Sequence, residues 1–320
     1  MKDLKLRDRK ILKLLDQDAR LSNSQIAKKL RVNKNVVNYN IKRLEELGVI
    51  KGYNAMIDYS SLGYIQFEVY IDLYERNVEI NQQLVKHLLD MKQIGLVVKV
   101  IGDWDVVVGF YVKTPQEFRE VWHKVLQEFK PQIKKYQINL VAEKVMFPRS
   151  YLDNKKKNTN ELEWHLGNHH SRELDETDMK ILHLLAKDAR TPIKDIALKT
   201  KMSSMAIIYR LKQLVKKEVI EGYRVNLKFA KLGLQHFHVN MDLENPKVVK
   251  KMTEFCKVNP FIIKVDKSIG EFDFEFDLEV ENFDQFLQVI DEMKTLFPGA
   301  IRDYKYVRFL EYNKRNYLPC

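Results

Sequence analysis

The sequence predicts an α+β protein made of two copies of one module, each a three-helix head followed by a βαββαβ sheet unit. Three observations support this. The chain repeats itself: Asp8-Arg9-Lys10-Ile11-Leu12 with Asp18-Ala19-Arg20 returns as Asp178-Met179-Lys180-Ile181-Leu182 with Asp188-Ala189-Arg190. The 170-residue offset holds without a gap from Asp8–Gly63 to Asp178–Gly233, with 21 identities in 56 positions, Gly52-Tyr53 and Gly222-Tyr223 among them. A shared spacing of that length needs a common three-dimensional unit. Within each copy the apolar period then changes from that of a helix to that of a strand.

Leu4, Ile11, Leu12, Leu14 and Leu15 keep helical spacing to about residue 17. Ser22 and Gln25 form a capping box opening a second helix at about 25–30. In copy 2, Thr191-Pro192 reads as a cap residue followed by a first-turn proline. Asn33 caps a third helix running to about Leu47, where Gly48 ends it; copy 2 has Glu218 in place of that glycine. Three short helices with a tight turn before the last are a helix-turn-helix, here of winged type. Ile65, Phe67, Val69, Ile71 and Leu73 then alternate with polar residues, as do Phe237, Val239, Met241 and Leu243. Helices at 78–91 and 246–257, strands around Gly102 and Gly270, helices at 115–129 and 282–296, and last strands at 133–147 and 301–312 complete each unit. That order is ferredoxin-like, and it leaves one sheet face open to solvent or a partner. The expected domains are 1–60, 61–147, a linker at 148–173, then 174–230 and 231–320.

With 320 residues and 45% apolar content the chain can bury two or more cores. No run of eighteen apolar residues and no apolar stretch behind Met1-Lys2-Asp3-Leu4 point to a span or a secretory signal. Two cysteines, Cys256 and Cys320, suit a reducing cytoplasm, the expected location. A net charge of +11 favours polyanionic partners. In the linker, Asp153-Asn154-Lys155-Lys156-Lys157-Asn158-Thr159-Asn160 is polar and unpatterned and is expected to be flexible. Trp164 is expected to pack on a domain. His165, His169 and His170 have no Cys or carboxylate at ligand spacing, so neither a metal nor a cofactor is expected there.

On the third helix Val37, Ile41 and Leu44 form a core face, and Asn35, Asn38, Tyr39 and Lys42 form the opposite one. Asn can bond the major-groove edge of adenine, and Lys can reach guanine or phosphate. Lys28, Lys29, Arg31 and Lys34 stand nearby to neutralise the backbone of double-stranded DNA. Copy 2 keeps Ile207, Leu211 and Leu214, and keeps Tyr209 and Lys212 as DNA candidates, but has Met205 and Ile208 in place of the two asparagines. Residues 1–53 hold 14 basic and 6 acidic side chains, against 11 and 8 in 171–223. Copy 1 is therefore expected to read sequence, while copy 2 binds DNA weakly or serves packing. In copy 2, Asp273, Glu275, Asp277 and Glu279 share a strand face, with His236 and His238 on the neighbouring strand by parity. Such a row can hold a divalent cation, but more often it is solvated or meets Lys and Arg.

The module order resembles the Lrp/AsnC family of transcription regulators, with close matches at Leu174 to Leu182, at Asp18-Ala19-Arg20 and at Arg43-Leu44-Glu45-Glu46-Leu47-Gly48-Val49-Ile50. The Gly-x-aromatic-Asp turn of that family's effector domain occurs as Gly102-Asp103-Trp104-Asp105 and Gly270-Glu271-Phe272-Asp273. The resemblance implies a non-enzymatic, sequence-specific regulator whose fused modules form an internal pseudo-dimer that assembles further into a homo-oligomer. It also implies a small-molecule effector near Gly102, Asp103, Asp105, Gly270 and Asp273, where glycine admits a ligand and a carboxylate can hold an ammonium. Asn40 stands where the family often has Arg, which copy 2 retains as Arg210. Two alternatives stand beside this: an enzyme like the siroheme decarboxylases, which share the module order and would need a basic, His-containing pocket between modules, and a nucleoid-like architectural protein.

Overall fold

The computed structural model describes residues 4–74, 78–153 and 162–318. Copy 1 runs α1 (Leu6–Gln17), α2 (Asn23–Leu30), α3 (Lys34–Glu46), β1 (Ile50–Ile57), β2 (Ile65–Leu73), α4 (Val78–Asp90), β3 (Ile94–Gly102), β4 (Val106–Val112), α5 (Pro115–Phe129) and β5 (Ile133–Met146). The linker contributes β6 (Trp164–Leu166). Copy 2 follows with α6 (Glu176–Lys187), α7 (Ile193–Thr200), α8 (Ser204–Lys216), β7 (Ile220–Leu227) and β8 (Gln235–Leu243). It ends with α9 (Val249–Val258), β9 (Ile262–Ile269), β10 (Phe274–Val280), α10 (Phe283–Leu296) and β11 (Ile301–Arg315). No helix among the described residues is long and apolar enough to cross a membrane.

The expected caps form in copy 1. Ser22 and Gln25 bond reciprocally, and the Asn33 side chain accepts from the Asn35 amide at 2.8 Å. Copy 2 departs at one of them. Thr191 does not cap α7; its hydroxyl donates to the Asp188 carbonyl at 2.7 Å, and Pro192, in extended conformation, takes the cap position. A proline there has no N–H to offer and fixes the entry without a side-chain cap. Glu218 adopts the left-handed conformation at φ 60°, as Gly48 does at 68°, so α8 ends where α3 ends.

The sheets follow from the open faces. Copy 1 orders its strands β3-β4-β2-β5, copy 2 orders its own β9-β10-β8-β11, and every pairing is antiparallel. β3 then pairs with β11, and β5 with β9, which joins the two sheets at both edges into a closed ring of eight strands. Closure removes the exposed edges that a four-stranded sheet would otherwise present. The outer face of each sheet buries its own helices: Leu84, Phe118 and Trp122 in copy 1, Met252, Phe286 and Ile290 in copy 2. The inner faces meet each other, so each copy is the partner covering the other's open sheet. Trp164 is fully buried beneath the Arg224 guanidinium, 5.1 Å from the ring centroid, and lies against Gly222, where a β-carbon would collide with it. All of the polar run after Asp153 lies outside the described residues.

The repeated Asp-Ala-Arg segment pairs the two heads. Asp18 and Asp188 each accept from the amide two residues on, closing a turn at 2.9 and 2.8 Å. The amides of Ala19 and Ala189, both fully buried, donate to the carbonyls of Tyr223 and Tyr53 in the other copy, each at 2.9 Å. Arg20 and Arg190 lie over the rings of those tyrosines at 5.4 and 5.0 Å, a cation–π contact. β1 and β7 complete the seam as an antiparallel pair. Residues that the repeat holds constant are thus the ones that join the copies.

One buried ionic chain is not repeated. Asp16 of α1 accepts from Arg224 Nε of β7 at 2.7 Å and from both the backbone amide and Nη1 of Arg149, each at 2.7 Å. Arg149 also bonds Glu279 of β10 at 2.8 Å through Nε, and Tyr151 donates to the same carboxylate. The counterparts of Asp16 and Arg224 are Ala186 and Asn54, so the chain exists on one side of the pseudo-two-fold only. Burial by itself would raise the Asp16 carboxyl, and the two guanidiniums outweigh it and hold the group below its ordinary range. Removing one partner of such a cluster strands buried charge. Asp16→Ala is expected to lower the unfolding free energy by about 3–5 kcal/mol in urea titrations, and a loss under 1 kcal/mol would show that the cluster is solvated.

Candidate nucleic-acid interface and the chamber between the sheets

All eight DNA candidates of copy 1 are exposed: Lys28, Lys29, Arg31 and Lys34 around the turn, and Asn35, Asn38, Tyr39 and Lys42 along α3. The packing face behind them is buried, with Val37 and Leu44 wholly so. Arg31 occupies the turn between α2 and α3 with φ 55°. Asn38 accepts from the Asn23 side chain, whose oxygen in turn accepts from Arg190 of copy 2 at 2.9 Å. Sequence reasoning missed Asn23 and Arg190, because the contact runs between copies. Asn40 is buried and takes no place on this face; Arg43 fills the neighbouring role by pairing with Asp8 at 2.6 Å, as Arg210 does with Asp175 and Asp178.

In copy 2, Tyr209 and Lys212 are exposed, as is Met205 at 74%. Ile208 is only half-exposed and lines a shallow apolar groove with Ile193, Leu211, Val215 and Tyr223. The change from Asn38 to Ile208 therefore turns a polar contact of α3 into part of the packing beside Arg20 of copy 1.

The two Gly-x-aromatic-Asp turns are built alike. The Asp105 carboxylate accepts from the Leu73 amide at 2.7 Å and that of Asp273 from the Leu243 amide at 2.8 Å, each tying the turn to the end of a strand. Trp104 and Phe272 are buried. A β-carbon on Gly102 would lie 2.8 Å from the Tyr306 carbonyl of β11, and one on Gly270 would collide with the Asn139 side chain of β5. These glycines admit a strand of the other copy. Asp103 is exposed and has no described partner of that kind.

Two of the linker histidines, His165 and His169, do have carboxylate partners, supplied from distant elements that spacing along the chain cannot reveal. His165 Nδ1 lies 2.7 Å from Glu143, and His169 Nδ1 lies 3.3 Å from buried Asp58, which also accepts from the Gly167 and Ser61 amides. Copy 2 has Lys228 at the position of Asp58, so the Asp58 contact occurs once, while the linker meets copy 2 through other groups, His165 donating its amide to Glu221 at 3.2 Å and Arg172 bonding the Lys217 carbonyl at 3.3 Å.

The acidic row of β10 points into the eight-stranded ring, against copy 1. Asp277 bonds His238 at 2.6 Å, His236 at 2.9 Å and Lys264 at 3.2 Å; Lys264 bonds Asp266 at 2.6 Å; Lys144 bonds Glu68 at 2.5 Å; and the Tyr70 hydroxyl lies 3.0 Å from His238. A cavity of about 60 Å³ remains among these groups, with Tyr59, Gln66, Arg315 and Tyr317 on its wall. His238, Asp266 and Asp277 offer ligand atoms within 4.8 Å of one another, as a metal site would. The Lys264 ammonium already pairs with both carboxylates and meets the need for a cation. Burial would lower the His238 imidazole, but Asp277 and Glu275 outweigh it and raise it to about 10. Burial raises Glu275. Burial would also raise Glu279, and Arg149 brings it down to about 2.

These shifts set the pH window of stability. A carboxyl depressed on folding stabilises fully above its unfolded value and loses that contribution as pH falls towards about 2. A raised imidazole stabilises fully below about 6.5 and loses its contribution as pH rises towards about 10. Urea unfolding energies are expected to decline between neutrality and the upper value, and His238→Gln to flatten that decline. An unchanged alkaline slope in the variant would remove His238 as its source.

The description "winged helix-turn-helix DNA-binding" matches residues 4–51 and again 174–221. An uncharacterized HTH-type transcriptional regulator of Pyrococcus furiosus is 37% identical over 101 residues, spanning 32% of this chain and 67% of that one. The HTH-type transcriptional regulator LrpA of Pyrococcus horikoshii is 35% identical over 98 residues, 31% of this chain and 70% of its own. Over its whole length the chain shares its fold with the siroheme decarboxylase NirDL, at TM-score 0.61 and 10% identity across 97% of this chain and 92% of that one. Two helix-turn-helix heads, two paired sheet units and relatives of this closeness make the chain a member of the Lrp/AsnC family, with two modules in one polypeptide.

Proposed function

We propose that the chain is a sequence-specific, DNA-binding transcription regulator of the cytoplasm, in which α3 of copy 1 enters the major groove. The observation that supports this most is the exposed row of Asn35, Asn38, Tyr39 and Lys42 beside Lys28, Lys29, Arg31 and Lys34, on a head whose opposite face is fully packed. Two amides suited to adenine edges and four cations suited to phosphates are the two kinds of contact a groove reader needs. Tyr209 and Lys212 of copy 2 would add backbone contacts at a second half-site. The ring of eight strands makes the pair of heads an internal dimer, and assembly with further copies would extend it. Asp103, Asp105, Asp273, Gly102 and Gly270 remain effector candidates, with Asp103 the freest of them.

A second reading, an enzyme of the decarboxylase type, draws support from the shared whole-chain fold and from the histidines and cations of the chamber. A cavity of about 60 Å³ weighs against it, since ligands of drug size already occupy about 300–1,000 Å³. Titrating the protein with a uroporphyrin-type tetrapyrrole and following its absorbance band separates the readings: a saturable shift favours the enzyme, an unmoved band the regulator.

Fluorescence anisotropy on the DNA upstream of the chain's own coding sequence, against a scrambled duplex across a salt series, tests the regulator directly. Preference for the upstream duplex is expected, and equal binding to both would favour an architectural protein. Asn38→Ala should weaken the specific complex by about 1–3 kcal/mol, and Ile208→Asn should weaken it less. Equal losses would remove the division of labour between the copies.

A further inference from the structure

The chamber between the sheets differs from a structural ion cluster in three respects. It keeps a cavity of about 60 Å³, room for about two waters at about 30 Å³ each. Two of its buried polar atoms, the Tyr59 hydroxyl and the Gln66 side-chain oxygen, have no hydrogen-bond partner. Its Arg315 guanidinium has no carboxylate partner among the described residues: Nη2 donates to the Tyr317 hydroxyl at 2.8 Å, and the group lies over the rings of Tyr312 and Tyr317 at 5.0 and 5.6 Å.

Charge makes the choice of ligand. Lys144 pairs with Glu68, Lys264 with Asp277 and the adjoining Asp266, and His238 with Asp277 and Glu275, whereas Arg315 meets only tyrosines. A guanidinium without a carboxylate favours a ligand that brings one, and the neighbouring Lys144 and Lys264 ammoniums disfavour a ligand that also carries an ammonium. Guanidinium and carboxylate match in plane and spacing.

We infer that the chamber binds one small hydroxy acid as its anion, with the Arg315 guanidinium taking the carboxylate and the Tyr59 and Gln66 side chains taking the hydroxyl. This rests on the regulator reading for the use made of the ligand, but not for its binding, and it places recognition inside the ring instead of at the glycine turns. The ligand would lie within the same buried network that continues from Asp277 and His236 through Glu279, Arg149 and Asp16 to α1.

Calorimetric titration of the full chain, without DNA, with glycolate, glycine and glycolamide tests this, because the three match in size and only glycolate carries a net charge. Glycolate is expected to bind at one site per chain, and the other two at least about tenfold more weakly. Arg315→Gln should weaken glycolate by about tenfold or more. Tyr59→Phe, which removes a hydroxyl without a partner and so leaves folding intact, should weaken it severalfold. Equal affinity for all three probes, no glycolate heat at millimolar concentration, or unchanged affinity in Arg315→Gln and Tyr59→Phe would each overturn the inference. Anisotropy on the upstream duplex is read separately, so failure to bind DNA and failure to bind glycolate are distinguishable.

Discussion

Closing two open sheets upon each other removes a row of ionised groups from water, and the molecule depends on how that charge is matched. Glu68, Asp266, Asp277 and Glu279 are all almost fully buried inside or beside the ring. Each meets a cation: Lys144, Lys264 or Arg149. Without those partners the desolvation cost would exceed what the apolar contacts of the interface return. Lys144 and Arg149 stand in or just after the last strand of copy 1, while Lys264 and the acidic row belong to copy 2. Lys144–Glu68 is thus balanced within copy 1 and Lys264 with Asp266 and Asp277 within copy 2, while Arg149–Glu279 bridges the two modules.

The heads are held by a different device. Their seam repeats nearly perfectly, because Asp-Ala-Arg and Gly-Tyr occur in both copies and each Arg covers the other copy's Tyr. Backbone bonds from Ala19 and Ala189 fix the register of the two heads. α3 and α8 are thus set relative to each other by short, rigid contacts. A symmetric seam suits a pair of sites related by a two-fold axis, as on DNA.

Fusion lets the two halves diverge where a homodimer could not. Asp16, Arg224 and Asp58 have Ala186, Asn54 and Lys228 as counterparts, so the ionic chain to α1 and the Asp58 contact with the linker occur once. Likewise β10 carries carboxylates on the inner face where β4 carries Val107, Gly109 and Tyr111. A chamber with an acidic strand on one side and an uncharged counterpart strand on the other has a direction. The covalent connection preserves that direction, since neither module can exchange with another copy.

Much of this was legible in the chain. The repeat, the caps at Ser22 and Asn33, the core positions of α3 and the alternation of β2, β8 and β10 all depend on neighbours within a few residues, where spacing and side-chain chemistry suffice. Even the outward polar face of α3 follows from the helical period. The Thr191 cap was misread because a proline can start a helix from either of two positions, and only the backbone decides between them. Which residues form the lumen, how the Asp-Ala-Arg turns join the heads, and why Gly102 and Gly270 must lack a side chain were settled by pairings more than a hundred residues apart. So was the role of the acidic row: sequence parity placed four carboxylates on one face, but Asp273 lies exposed in the turn, and whether the other three met water, metal or a cation depended on what the completed fold brought against them. Local periodicity records the conformation of a segment, and the free energy of a buried charge depends on whatever the completed fold places beside it.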